Sequence, residues 1–167
     1  MKKLLPLLVL SLPLSAATLE ANVELPKLDV AEYHAPYLAM WIQNQDRSQI
    51  KNLALWYDHD KAKDKGQEWL KDLRQWWRRS GRSLSLPADA ITGATKTAGS
   101  YQMSFDSDAL GLNDLPAGEY QFYIEAVREV GGREVLSVSF TLPIDTAQTL
   151  NIQGEKELGR IDLTIKP

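Results

Sequence analysis

Beyond residue 18 the chain is organised by a period of two, and that period constrains the fold more than anything else in it. Leu19, Ala21, Val23 and Leu25 alternate with polar residues until Pro26, as in a strand with one buried face. Further strands are expected at Tyr37 to Gln43 and, after the polar turn Asn44 to Gln49, at Ile50 to Tyr57 as a hairpin partner. More follow at Ser100 to Asp106, Glu119 to Glu129, Glu134 to Leu142, Thr149 to Ile152 and Leu158 to Ile165. Gly131-Gly132 reads as a hairpin turn, and Leu115 to Tyr120 as a turn feeding a strand. About seven or eight strands at this spacing predict an immunoglobulin-like β-sandwich, all-β in class. With no repeat or linker to divide it, 18–167 is expected to be one domain.

One stretch breaks the period. Trp69, Leu73, Trp76 and Trp77 fall at i, i+4, i+7 and i+8, the spacing of one helical face, and Asp64 followed by Gln67 resembles a capping box. An inserted amphipathic α-helix is therefore expected over about 67–80, with Gly81 as terminator and Lys71, Arg74, Arg78 and Arg79 biased toward its C-terminal end. Its apolar face is expected to pack on Trp41 and Trp56 of the hairpin.

The first residues are a sorting signal. Met1-Lys2-Lys3 is basic, Leu4 to Leu14 is an apolar run too short to span a bilayer comfortably, and Ser15-Ala16-Ala17 supplies small residues for cleavage. A cleaved secretory signal peptide at 1–17 predicts a periplasmic location and a soluble mature chain. Loss of Lys2 and Lys3 moves the formal charge of −3 by two, to −5, which argues against nucleic acid as a partner.

The chain has no cysteine, which excludes disulfides, thiol nucleophiles and Cys-ligated zinc or iron–sulfur clusters. Its two histidines, His34 and His59, are too few for a His-rich metal cage and leave little for a serine triad. No G-x-S-x-G elbow is present, so no catalytic residues and no metal site are expected.

The segment between helix and later strands carries Asp89-Ala90-Ile91-Thr92-Gly93-Ala94-Thr95. It resembles the D-x-x-[ST]-G-A-[ST] pattern at which bacterial FMN transferases attach FMN, through its phosphate, to the last threonine. The same pattern occurs in flavin-carrying subunits of sodium-pumping NADH:quinone reductases and related electron-transfer complexes. The resemblance implies covalent FMN on Thr95, with Asp89, Thr92, Gly93 and Ala94 as recognition residues. The residue types suit that chemistry. The acceptor must be a hydroxyl brought in line with a pyrophosphate inside another enzyme's site, and small neighbours leave the backbone accessible. Pro87 keeps the approach extended, Asp89 is placed to fix the turn, and Trp76, Trp77 or Tyr101 are possible walls for the isoalloxazine. Asp-x-x-Thr-Gly is also ordinary turn chemistry in a helix-to-strand connection.

Most of residues 33–140 also resembles a family of predicted bacterial periplasmic proteins of unknown function. The likeness rests on Tyr37 to Trp41, Leu55-Trp56-Tyr57, Trp69 to Gly81, Asp89 to Thr95, Gly118-Glu119-Tyr120 and Glu125 to Glu134. It implies an FMN transferase and a membrane-bound, heme-containing reductase as partners. The run from Tyr101 through Asp106 to Tyr120 is similar to the immunoglobulin-like domain of flagellar hook-capping proteins, with Ser107 where glycine is usual.

Together these predict a periplasmic electron-transfer protein carrying FMN on Thr95; the alternative is a non-redox accessory or binding module docking on a membrane or envelope partner. The other charged clusters read as scaffold. Asp58-His59-Asp60 is expected to be a solvated turn, Asp106-Ser107-Asp108 lacks the closing glutamate of a calcium loop, and Glu125, Arg128, Glu129, Arg133 and Glu134 are expected as cross-strand ion pairs on a solvent face. The Arg78-Arg79-Ser80-Gly81-Arg82 run is either a helix end or a source of cations for a flavin phosphate.

Overall fold

The computed structural model describes residues 18–167, with backbone alone at 62–64; the sorting signal expected at 1–17 lies outside the described residues. Nine strands run in chain order: β1 (Thr18–Leu25), β2 (Tyr37–Asn44), β3 (Ile50–Trp56), β4 (Thr92–Gly93), β5 (Gly99–Asp106), β6 (Gly118–Val127), β7 (Arg133–Leu142), β8 (Gln148–Gln153) and β9 (Arg160–Lys166). They form two sheets, ordered β5-β1-β9-β8 and β4-β3-β2-β6-β7. All pairings are antiparallel except the short β3–β4 pair. The inner faces meet in one apolar core, with Leu19, Val23, Ile161 and Leu163 from the first sheet against Leu38, Met40, Phe122 and Ile124 from the second. The fold is a β-sandwich with an inserted helical segment.

Strand β1 keeps the alternation of its sequence because only one of its faces is covered. Strand β2 reads as a continuous apolar run because both of its faces are buried. Leu38, Met40 and Ile42 point into the inter-sheet core, while Ala39 and Trp41 point outward under the helical segment. A bulge opposite Met40 and Trp41 leaves Leu53 unpaired and puts Leu53 and Ala54 in the same core.

The helical segment differs from the single α-helix expected over 67–80. A 3-10 helix spans Ala62–Asp72, the chain breaks at Leu73 (φ −71°, ψ 67°), and α1 covers only Arg74–Arg79 before a 3-10 turn at Gly81–Ser83. The capping box does not form: the helix begins at Ala62, before Asp64, and its N-cap Lys61 makes no side-chain cap. Three residues per turn also change the buried face. Leu70, Leu73 and Trp76 are fully buried, whereas Trp69 stands 44% exposed. Each of the three contributes about 1.5–3 kcal/mol by burial against Trp41, Leu55 and Tyr57. Trp41 meets this face as expected. Trp56 does not, because β3 directs it into the inter-sheet core.

The charge cluster expected on a solvent face is largely internal. Glu125 on β6 is completely buried and caps α1 from the sheet, accepting the backbone N–H of Gln75 (3.1 Å) and Trp76 (2.7 Å) and the Nε of Arg133 (2.6 Å). Arg128, 7% exposed, pairs with buried Glu157 at 3.0 Å. Gly131 and Gly132 are needed for this pair: a Cβ on either would come within 2.5 Å of the Arg128 guanidinium or the Glu157 carboxylate. At the other end of β6, the Tyr120 hydroxyl donates to the Pro116 carbonyl at 2.8 Å, tying strand to incoming turn.

Candidate functional site

The segment that leaves α1 returns to the edge of the second sheet through Asp89 to Thr95. Its turn closes at both ends of residues 88–92: the Ala88 N–H donates to the Thr92 hydroxyl at 3.0 Å, and the Thr92 N–H donates to the Ala88 carbonyl at 3.1 Å. The turn is thus fixed by Thr92 rather than by Asp89, which is exposed and whose carboxylate has no partner among the described residues. Ala90 sits at φ 67°, a left-handed conformation that a non-glycine residue holds only when its surroundings enforce it. The Leu86–Pro87 peptide is cis.

Thr92 and Gly93 then pair with β3. The Ile91 carbonyl accepts from Leu55 N–H at 2.7 Å and the Gly93 carbonyl from Tyr57 N–H at 3.0 Å. Gly93 lies so close to the Trp56 indole that an added Cβ would stand 3.3 Å from its ring. This short parallel strand is absent from the alternation pattern because two residues carry no period. After it, Ala94 is exposed and Thr95 half-buried, and neither side chain makes a hydrogen bond with a described residue.

Thr95 lines a cleft of about 130 Å³ together with Trp69, His34, Tyr37, Lys61 and Glu129. Trp69 is thus the exposed indole of the site, and its departure from the helical face is the signal that sequence reading missed. Of the aromatic residues expected as a wall, Trp76 is fully buried and donates its ring N–H to Asn52 Oδ1 at 2.8 Å, and Trp77 packs with the helical core. Tyr101 stands closer to the motif. Its hydroxyl donates to the Thr97 carbonyl at 2.8 Å, and its ring and that of Trp56 lie 5.9 and 6.0 Å from Lys96 Nζ, within cation–π range.

Charge in the cleft is mixed. Lys61 pairs with Asp58 at 3.4 Å, and His34 lies 3.0 Å from Glu32 and 3.8 Å from Glu129. Burial pushes the Tyr37 phenol above its ordinary value, so it is a neutral group there. Arg78, Arg79 and Arg82 do not line the cleft. Asp58-His59-Asp60 is the expected turn, with His59 bonded to Asp60 at 2.9 Å, and Asp106 forms an Asx turn by accepting the N–H groups of Asp108 and Ala109. Among the described residues, no cluster of three His, Cys, Asp or Glu side chains could hold a metal ion, and no helix is long and apolar enough to cross a membrane.

Over residues 18–160 the sequence matches the family described as Predicted periplasmic protein (DUF2271). The chain belongs to the DUF2271 family. No curated protein and no solved structure matches it. Membership supports a periplasmic location, and the match covers β1 to β8, the helical segment and the whole Asp89 to Thr95 turn.

The fit of this DUF2271 site to a flavin follows from its size and donors. Small-molecule pockets enclose roughly 300–1,000 Å³, so this cleft cannot enclose an isoalloxazine. It offers a hydroxyl at its rim and an exposed indole to stack on; its lining carries the carboxylates of Asp58, Asp72 and Glu129, with Lys61 already paired to Asp58 and Lys96, outside the lining, set over the Trp56 and Tyr101 rings. The residues present suit a group tethered at the surface.

Proposed function

We propose that this protein is a periplasmic redox carrier whose Thr95 hydroxyl is esterified by FMN through its phosphate. The observation that supports the reading is the position of Thr95, the last residue of the Asp89 to Thr95 pattern: it shares a cleft with the exposed Trp69 indole, and its hydroxyl is engaged by no described residue. FMN, when bound, supplies one- and two-electron transfer. In this reading the chain's own residues present the hydroxyl and give the ring an apolar surface, and Lys96, next to Thr95 in the chain, offsets part of the phosphate charge. The proposed partners are an FMN transferase, which installs the group from a flavin-bearing pyrophosphate by attack of the Thr95 hydroxyl on the flavin-side phosphorus, the P–O–P bond breaking and the other phosphate half leaving with the hydroxyl proton taken by the transferase's base, and a membrane-bound, heme-containing reductase. We further read the sandwich as immunoglobulin-like, supported by the Tyr120–Pro116 bond, which resembles the tyrosine corner of that class.

Intact-protein mass spectrometry of the chain produced in a periplasm with active transferase tests the proposal, beside Thr95→Ala and Asp89→Ala. A mass gain of one FMN less water, absent from both variants, is expected. An unmodified mass in cells that flavinylate a control substrate would refute it. The second reading, a non-redox binding module, is favoured by a different observation: a large apolar opening at the opposite end of the sandwich.

A further inference from the structure

The register of β2 and β6 sets two ends to the sandwich. Tyr37 pairs with Val127 at the Thr95 end, and Asn44 with Tyr120 at the other. At this second end the sheets part around a cavity of about 710 Å³, well within the size of small-ligand pockets. One wall is Leu19 of β1 and Ile165 of β9; the other is Ile42 of β2 with Phe140 and Leu142 of β7. Leu19, Ile42, Phe140 and Ile165 are otherwise core residues, each under 10% exposed, so the floor of the cavity is the edge of the inter-sheet core.

The polar side chains of the lining are Thr18 on β1 and, on the turn after β5, Ser107, Asp108 and Asn113. Asp108 and Asn113 stand together, with the Asn113 amide donating to Asp108 Oδ1. That bond uses one of the two Asn113 amide N–H groups, so the second Asp108 oxygen and the Asn113 carbonyl remain as acceptors beside one remaining N–H. The lining includes one carboxylate side chain and no Lys, Arg or His. An anionic head would therefore meet the Asp108 charge with no cationic side chain in the lining to offset it, whereas a neutral hydroxyl would donate.

We propose that this cavity binds an uncharged single-chain amphiphile, its alkyl chain between the sheets and its hydroxyl on Asp108 and Asn113. The site is independent of Thr95 and of the flavin. The test is a titration of the ¹⁵N-labelled mature protein with 1-decanol and, separately, decanoate, following amide shifts of Leu19, Ile42, Phe140 and Ile165.

Saturable shifts at these positions with decanol, and binding weaker by about tenfold or more with decanoate, are expected. Ala117 is exposed at the mouth, so Ala117→Trp is expected to weaken decanol binding by about tenfold with an unchanged far-UV spectrum. Asp108→Asn is expected to narrow the gap between the two ligands. The proposal is overturned by flat titrations with both ligands, by decanoate binding as tightly as decanol, or by decanol shifts that survive in folded Ala117→Trp. If Ala117→Trp does not fold, the Asp108→Asn comparison decides: an unchanged gap overturns the rim assignment.

Discussion

Replacing Glu125 is expected to detach α1 from the sheet. The helix has no acidic residue in its own first turn, and among the described residues the carboxylate that accepts its N-terminal N–H groups comes from β6. Glu125→Ala would leave the N–H of Gln75 and of fully buried Trp76 without acceptors, and Arg133 without its partner. A buried donor left unpaired costs about 1–3 kcal/mol. Arg133 is 32% exposed and recovers water, so its share is small. The two helix donors sum to about 2–6 kcal/mol, a range that spans the roughly 3–5 kcal/mol of breaking a buried ionic contact. Glu125→Gln keeps a carbonyl acceptor for one N–H and removes a buried charge, so its cost should be about 1–2 kcal/mol. Urea unfolding at neutral pH, followed by tryptophan fluorescence and far-UV circular dichroism, measures both at constant m. A loss below about 1 kcal/mol for Glu125→Ala would refute the tertiary cap.

Two further outcomes follow from buried or cradled charges. Arg128→Met leaves Glu157 buried with only the Gly132 N–H at 2.7 Å, and is expected to cost about 3–5 kcal/mol in urea unfolding, with the Arg128→Met/Glu157→Met double variant costing less than Arg128→Met alone. The Glu134 pKa is lowered: burial pushes it upward, but the backbone N–H groups of Glu155, Lys156, Glu157 and Leu158 all donate to its carboxylate and prevail. A group with a depressed folded pKa stabilises the fold above its unfolded value of about 4.3 and loses that contribution as pH falls through the folded value. Stability of the native chain relative to Glu134→Gln should therefore shrink on acidification below that value; a pH-independent difference would contradict the cradle.

Much of this fold was legible because eight of the nine strands carry either a period of two or an unbroken apolar run. The strand missed, β4, is two residues held by backbone bonds to β3, and backbone bonds leave no mark on side-chain pattern. The helix was placed but misread in kind. A spacing of three at Leu70, Leu73 and Trp76 was available in the sequence, yet the tryptophans at 69, 76 and 77 gave the more conspicuous i, i+7, i+8 series. The charges at 125–134 were assigned outward because polarity is the usual sign of exposure. What overrides it here is non-local: Glu125 needs α1, and Arg128 needs a glutamate 29 residues away.

The Asp89 to Thr95 turn divides in a way that bears on its role. Thr92 closes the turn with its hydroxyl, and Gly93 gives its carbonyl to Tyr57 while leaving room for Trp56. Fold geometry accounts for these two. It does not account for Asp89 or Thr95, whose polar side chains make no hydrogen bond with a described residue, nor for Ala94, which is exposed. A connection serving only to join α1 to the sheet would need neither a carboxylate at its tip nor a hydroxyl at the cleft. The two residues are an acid and an alcohol six positions apart, and in the pattern on which the proposed attachment rests they would be the first residue and the acceptor. Thr95→Ala and Asp89→Ala should therefore leave the urea midpoint within about 0.5 kcal/mol of the native chain while abolishing flavin attachment, a separation that a purely structural turn would not produce.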